Sequence, residues 1–246
     1  MDKIFYDIFL PLPRQGPGCR EATLRALSHV HLQQENPRVL DIGCGTGAQT
    51  LDLASVLTGT IVALDNYQPF LDAIRSRAEK YPLKSVIEYH CGDMNDLCFA
   101  PGSFDLVWAE GSIYIIGFRR GLDAIRPLLK QNGYAVFSDM NWLKENPPSE
   151  AIKLFRVECP EMMTVQQNIE LIQRSEYELV QNFPLDVQVH WEFYYGPLEQ
   201  RLISFRKEHA ADQDIQNLLD TLQHEVDVYR RCSSYFGYTF YVMKRT

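Results

Sequence analysis

Three glycines at alternate positions, Gly43, Gly45 and Gly47, follow the apolar run Val39-Leu40-Asp41-Ile42 and lead into a helical pattern over about 48–57. Glycine takes dihedrals closed to other residues and leaves no side chain between backbone and ligand, so the turn can floor a pocket. The helix after it aims unpaired N–H groups and a positive dipole end at that floor. This suits the holding of a negatively charged or strongly polar ligand. The next strand, 60–64, ends at Asp65, 22 residues beyond Gly43. A carboxylate there accepts hydrogen bonds from ribose hydroxyls, which predicts a nucleoside-bearing ligand, with Asn66 beside the same ribose or base edge. A fourth strand, 104–109, is nearly continuous in apolar residues, as a strand buried on both faces should be, and ends at Glu110-Gly111-Ser112-Ile113-Tyr114. The carboxyl ends of the first and fourth strands should flank the crevice where an α/β sheet binds ligands. Glu110 is thus the best-placed titratable group for chemistry, with Ile113 and Tyr114 lining the approach.

Two ligand classes use such a turn. Taken as GxGxxG/A, with Gly43, Gly45 and Ala48, it is a dinucleotide fingerprint. Taken as DxGxGxG, with Asp41, Gly43, Gly45 and Gly47, it resembles motif I of the class I S-adenosylmethionine-dependent methyltransferases. The second pattern also accounts for Asp41, a carboxylate that would repel a pyrophosphate but can hold a methionine ammonium, directly or through water. The third strand, 86–90, separates the two further, because it leads into Cys91-Gly92-Asp93-Met94. In the methyltransferases an acidic residue at this place accepts from the adenine amine and the next side chain packs on the ring, roles that the resemblance gives to Asp93 and Met94. The segment Arg14-Gln15-Gly16-Pro17-Gly18 resembles a QGPG segment of a bacterial subset of the family, in which an N-terminal loop closes on the cofactor; Arg14 would face the cofactor's carboxylate.

The resemblance spans 36–143 and implies a doubly wound, Rossmann-like, seven-stranded α/β sheet with its last strand antiparallel, S-adenosyl-L-methionine as methyl donor and S-adenosyl-L-homocysteine as product. The cofactor residues it implies are Arg14 and Gly18; Asp41, Gly43, Cys44, Gly45, Thr46, Gly47 and Gln49; Asp65 and Asn66; Gly92, Asp93 and Met94; and Glu110, Gly111 and Ile113.

The elements that must position these groups fit one domain. A chain of 246 residues, 46% hydrophobic, supports one substantial core, with 1–35 as an N-terminal helical cap, 36–143 as the cofactor-binding core and 144–246 as a substrate and lid region. The spacing Ala22, Leu24, Leu27, Val30 predicts a helix after the loop 11–18. Further helices are expected at 70–81 and 118–130, the latter stopping before Asn132-Gly133, which opens a fifth strand, 134–138. Asn146-Pro147-Pro148-Ser149 is similar to the NPPY signature of amino-group methyltransferases but follows the fifth strand instead of the fourth, and reads as a loop. Beyond it come a helix at 164–174 with Thr164 as N-cap, a strand at 178–183, an aromatic cluster at 191–195 ahead of a helical stretch through His209, a helix at about 212–231 and a closing strand, 235–243. Trp191, Tyr194 and Tyr195, with Tyr114, are the candidate acceptor pocket.

Net charge is −8 and no long basic run occurs, so nucleic acid is not an expected partner. Six cysteines without a CxxC pair predict reduced thiols, and no metal-ligand spacing is visible. With no apolar run long enough to span a bilayer and no signal-peptide core, a cytoplasmic protein is expected, acting on a small-molecule acceptor, with a homodimer as the one assembly left open. In-line methyl displacement requires alignment above all, and a base only where the acceptor sheds a proton; Glu110, Tyr114 and His190 are the candidates, His190 reading more readily as a satisfied structural residue. Two other functions remain open at this stage. One is an NAD(P)-dependent oxidoreductase, though the chain lacks a TyrxxxLys pair after the fourth strand; the other is a non-catalytic cofactor-binding module.

Overall fold

The computed structural model describes residues 2–246. Strands β1 (Arg38–Ile42), β2 (Thr60–Asp65), β3 (Val86–Cys91), β4 (Phe104–Glu110) and β5 (Leu129–Trp142) pair in parallel, in the order β3-β2-β1-β4-β5. The two-residue β6 (Met163–Thr164) adds to the end of β5. The last strand, β8 (Phe236–Arg245), lies antiparallel between β5 and β7 (Tyr177–Pro184). The strand order reverses between β1 and β4, which puts a crevice at their carboxyl ends.

Alternation along the strands divides the core in two. Val39, Leu106, Trp108 and Val136 face one side, and Leu40, Ile42, Val107, Ala135 and Phe137 the other, as the two-residue period of a strand requires. The second side is covered by α5 (Phe118–Ile125) and α7 (Val165–Arg174), the first by α2 (Arg20–Leu27), α3 (Ala48–Val56) and the C-terminal helices. A further helix, α4 (Gln68–Ala78), packs beside β2 and β3.

Several expected elements differ in extent. The helix expected over 118–130 ends at Ile125 and tightens into a 3₁₀ turn, Arg126–Leu128, because Pro127 offers no N–H to continue it. β5 runs through both ends of its expected range. Asn132 sits at φ 62° and a Cβ on Gly133 would lie 2.9 Å from the Lys130 carbonyl, so these two residues form a bulge inside the strand instead of a turn before it. Two helices of eight residues or more had no sequence expectation, α1 (Asp2–Phe9) and α6 (Ser149–Glu158). The aromatic run does not precede a helix but lies within one. It forms a π-helical turn, Trp191–Tyr195, between α8 (Val187–His190) and α9 (Gly196–Glu208). Thr164 caps α7 as expected, in a reciprocal capping box with Gln167, and α10 (Gln213–Cys232) starts at Asp212, whose carboxylate accepts from the N–H groups of Asp214 and Ile215. No helix among the described residues is long and apolar enough to cross a membrane.

Candidate active site

The glycine turn is fixed by positive backbone angles and by what crowds it. Gly43, Gly45 and Gly47 have φ of 67°, 54° and 80°. A Cβ at Gly43 would meet Ser112 Cβ at 2.5 Å, and one at Gly45 would meet Gln15 Oε1 at 2.7 Å. The N–H groups of Gly43 and Cys44 donate to the Leu64 carbonyl (2.8 and 3.0 Å), tying the turn to the end of β2. There Asp65 accepts from Gly45 N–H (2.9 Å) and Tyr67 N–H (3.0 Å), and burial raises its pKa. Asp41 is wholly buried and accepts from Thr50 Oγ1 (2.6 Å) and Gln49 Nε2 (3.3 Å); desolvation pushes its pKa up to about 7. Its contacts therefore run to α3, and Gln49, which also donates to the Cys44 carbonyl, stands between it and the adjoining cavity.

Residues 11–18 form a strap across this turn. Gln15 Oε1 accepts from Thr46 N–H (2.7 Å) and Oγ1 (2.9 Å), while its amide donates back to the Phe9 and Leu12 carbonyls. Arg77 donates to Thr46 Oγ1 (2.7 Å) and to the Leu12 carbonyl (3.2 Å), fastening α4 to the same corner. The Arg14 guanidinium lies between Glu110 Oε1 (2.7 Å) and Asp52 Oδ2 (3.0 Å). Glu110, its side chain only 1% exposed, also accepts from Thr23 Oγ1 (3.0 Å) and Trp108 Nε1 (3.0 Å). Burial raises its pKa against the opposing pull of Arg14 and of these hydrogen bonds. Gly18 is required by the pair, since a Cβ there would lie 2.5 Å from Glu110 Oε1. The sequence expectation cast Arg14 as facing a ligand carboxylate and Glu110 as the catalytic group. In the structure they face each other, because a carboxylate this deeply buried requires a cation beside it.

Two cavities meet at the strap. The smaller, about 50 Å³, is walled by Arg14, Gln15, Gly16, Pro17, Glu110 and Gly111 over a floor of Gly43, Cys44 and Gln49. The larger, about 120 Å³, brings together Tyr114, Tyr194, Tyr195 and Tyr238 with Met140 and Phe155, and carries the carboxylates of Glu158 and Glu225. Gln15, Gly16, Pro17 and Gly111 line both, so one thin wall separates them.

Several expected site residues stand elsewhere. Ile113 is fully buried and packs over Gly121 in the core behind β4, so it does not line the crevice. Trp191 is outside the larger cavity, its indole lying 4.7 Å from the Arg230 guanidinium. Thr46 is taken up by Gln15 and Arg77. Asn66 and Asp93 are exposed; Asn66 accepts from the Tyr6 hydroxyl (3.4 Å), and Asp93 accepts from Asn95 N–H (2.8 Å), which lowers its pKa. Met94 leans over the glycine turn, its Cε 3.2 Å from where a Gly43 Cβ would be, and Gly92 lies against the His90 ring. His190 is 1% exposed with neither ring nitrogen hydrogen-bonded, and burial lowers its pKa to about 4. It is a neutral core residue beside Tyr229 and Tyr238, structural as expected but without the partner expected of it. Sequence analysis did not find Tyr238, Met140, Phe155, Glu158 or Glu225. These lie on elements that adjoin only in the fold, and no local pattern distinguishes Glu225 from the other polar residues of α10.

Residues 39–133 match a family model described as a methyltransferase domain. A sterol 24-C-methyltransferase of Clavispora lusitaniae is 33% identical over 133 residues, 52% of this chain and 35% of that protein. The chain thus spans about a third of the length of that curated relative. Over the whole chain the fold is that of a SAM-dependent methyltransferase from Geobacter sulfurreducens, solved in complex with S-adenosyl-L-homocysteine (TM-score 0.85, 16% identity, 100% of this chain and 99% of that one). A SAM-dependent methyltransferase from Thiobacillus denitrificans, also solved with S-adenosyl-L-homocysteine, gives a TM-score of 0.84 at 15% identity, with 100% and 99% of the two chains covered. Residues 39–133 are thus similar to a methyltransferase domain, and the whole chain shares the fold of these solved methyltransferases.

Proposed function

We propose that this chain is an S-adenosylmethionine-dependent methyltransferase acting on a small-molecule acceptor. The observation that carries this reading is the pair of cavities separated only by Gln15, Gly16, Pro17 and Gly111, a polar one over the glycine turn and an aromatic one beyond it. The donor set fits the cofactor. Backbone and Gln49 at the smaller cavity suit its methionine end, Asp65 suits the ribose hydroxyls, and Asp93 with Met94 suits the adenine. When bound, the cofactor supplies a methyl group activated by a positively charged sulfur.

What the protein contributes is alignment and the exclusion of water. The strap closes the smaller cavity to a space for a few waters, so residues 11–18 must shift to admit a methionine moiety and can then seal it. Gly111, at the end of β4, leaves the way open between the two cavities. The enclosed volume of the larger one suits an acceptor group smaller than a sterol ring system.

Calorimetric titration with S-adenosylmethionine and S-adenosylhomocysteine, with NADH and NADPH as controls, tests the proposal. Saturable binding of the sulfur compounds alone, weakened by Asp93→Ala, is the expected result. Binding of a nicotinamide instead would overturn it in favour of an oxidoreductase.

A further inference from the structure

The larger cavity has a chemical character beyond being aromatic. Among the described residues that line it there is no lysine, arginine or histidine, whereas two glutamates are present. Glu225, on α10, accepts from the Tyr195 hydroxyl (3.1 Å) and is otherwise open to the cavity. The groups around it are Tyr194 and Tyr195 of the π-helical turn, Tyr114 of the 3₁₀ turn Ile113–Ile115, Glu158 at the end of α6 and Cys159 just after it, and Tyr238 of β8. Desolvation raises the pKa of each of these four tyrosines, so they stay neutral and present ring faces and hydroxyl groups. Carboxylates set among tyrosine rings attract an organic cation, through Coulomb attraction and the negative faces of the rings. The same wall repels a carboxylate or phenolate ligand.

We infer that the acceptor is an amine, bound as its ammonium between Glu225 and the surrounding tyrosines, and that Glu225 takes the proton the nitrogen must shed before attack. The inference rests on the methyltransferase reading and specifies its acceptor. An ammonium has no lone pair. Transfer of one proton from nitrogen to the Glu225 carboxylate frees the pair, which forms the new C–N bond as the S–CH₃ bond breaks and its electrons stay on sulfur. The product is the N-methylated ammonium, and the proton on Glu225 leaves to solvent when the site opens. Burial and the nearby Glu158 raise the Glu225 pKa to about 7, which suits a group that must both take and release a proton near neutrality.

The test uses the full chain saturated with S-adenosylhomocysteine and three probes of similar size, tetramethylammonium, tert-butanol and pivalate, followed by calorimetry and tyrosine fluorescence. Tetramethylammonium is expected to bind saturably and about tenfold or more tighter than tert-butanol, with pivalate weakest. Glu225→Gln, which can keep its contact with Tyr195, should weaken the ammonium about tenfold and leave tert-butanol and S-adenosylhomocysteine unchanged. If ammonium is not preferred in the unmodified protein, the inference fails. Ammonium binding that survives Glu225→Gln overturns the role of Glu225. Should that variant not fold, the three-probe ranking on the unmodified protein still decides the amine. Failure of S-adenosylhomocysteine to bind at all would instead sink the methyltransferase reading, so the two failures are distinguishable.

Discussion

Asp139 shows how far one buried side chain can carry the response of the fold to pH. It is 4% exposed on β5, with Oδ2 accepting from Asn168 (3.2 Å) and Oδ1 without a partner, and desolvation pushes its pKa up to about 7. In the unfolded chain it titrates near 4. The folded state therefore binds this proton more tightly. The stability it contributes is present below about pH 4 and is lost as pH rises through about 7. Asp139→Asn should remove that decline and raise stability at pH 8 by on the order of 2 kcal/mol, with little change at pH 4; urea unfolding at the two pH values checks it. His190, lowered to about 4, acts with the opposite sign, its contribution being lost as pH falls below about 6.5. At this scale the sequence disclosed the residues whose role is local. Gly43, Gly45 and Gly47 were legible because alternate glycines after an apolar run have few other uses. Arg14 and Glu110, 96 residues apart, were legible as charges but not as partners. Glu225 and Tyr238 were not legible at all, because what singles them out is a cavity assembled from eight separate stretches of the chain.

The strap is the element on which the site depends most, and Arg14 is the cation at its centre, with Arg77 holding its Leu12 end. Arg14 bridges Glu110 at the end of β4 and Asp52 on α3; Asp52 keeps a second cation in Arg20 (2.8 Å), so replacing Arg14 by methionine would leave the buried Glu110 without its counterion. We expect Arg14→Met to lose about 3 kcal/mol by thermal or urea unfolding and to weaken S-adenosylhomocysteine binding. Glu110→Gln added to Arg14→Met should recover part of the stability, because the stranded charge is then gone. The helices and strands of 36–143 came through because the central strands, buried on both faces, read as short continuous apolar runs and the helices between them as separate segments. The exceptions have local physical causes, Pro127 ending one helix and the Asn132-Gly133 bulge being absorbed into β5. In α6, Pro147 and Pro148 drew attention to a loop and away from the helix that starts at Ser149. The aromatic run was placed outside the helix it belongs to, because the wider π-helical turn breaks the 3.6-residue spacing.

For the molecule as a whole, the controlling feature is that the final strand is an interior one. β8 meets β5 over nine residue pairs and β7 on its other edge, and Phe236, Phe240, Tyr241, Val242 and Met243 are at most 1% exposed. A chain ending at Tyr235 should therefore show no cooperative unfolding by circular dichroism, whereas one ending at Arg245 should unfold as the full chain does. The strand itself was visible in the sequence and its antiparallel sense came from the family resemblance; its place between β5 and β7 came only from the fold, since apolar alternation does not say which neighbours a strand will have. During synthesis on the ribosome this order has a cost in time. β5 and β7 emerge well before the segment that joins them, and each carries an unpaired edge until Phe236–Arg245 leaves the exit tunnel. The sheet cannot close from its N-terminal end as the chain grows, and a nascent chain stalled short of its last strand would offer those edges to chaperones.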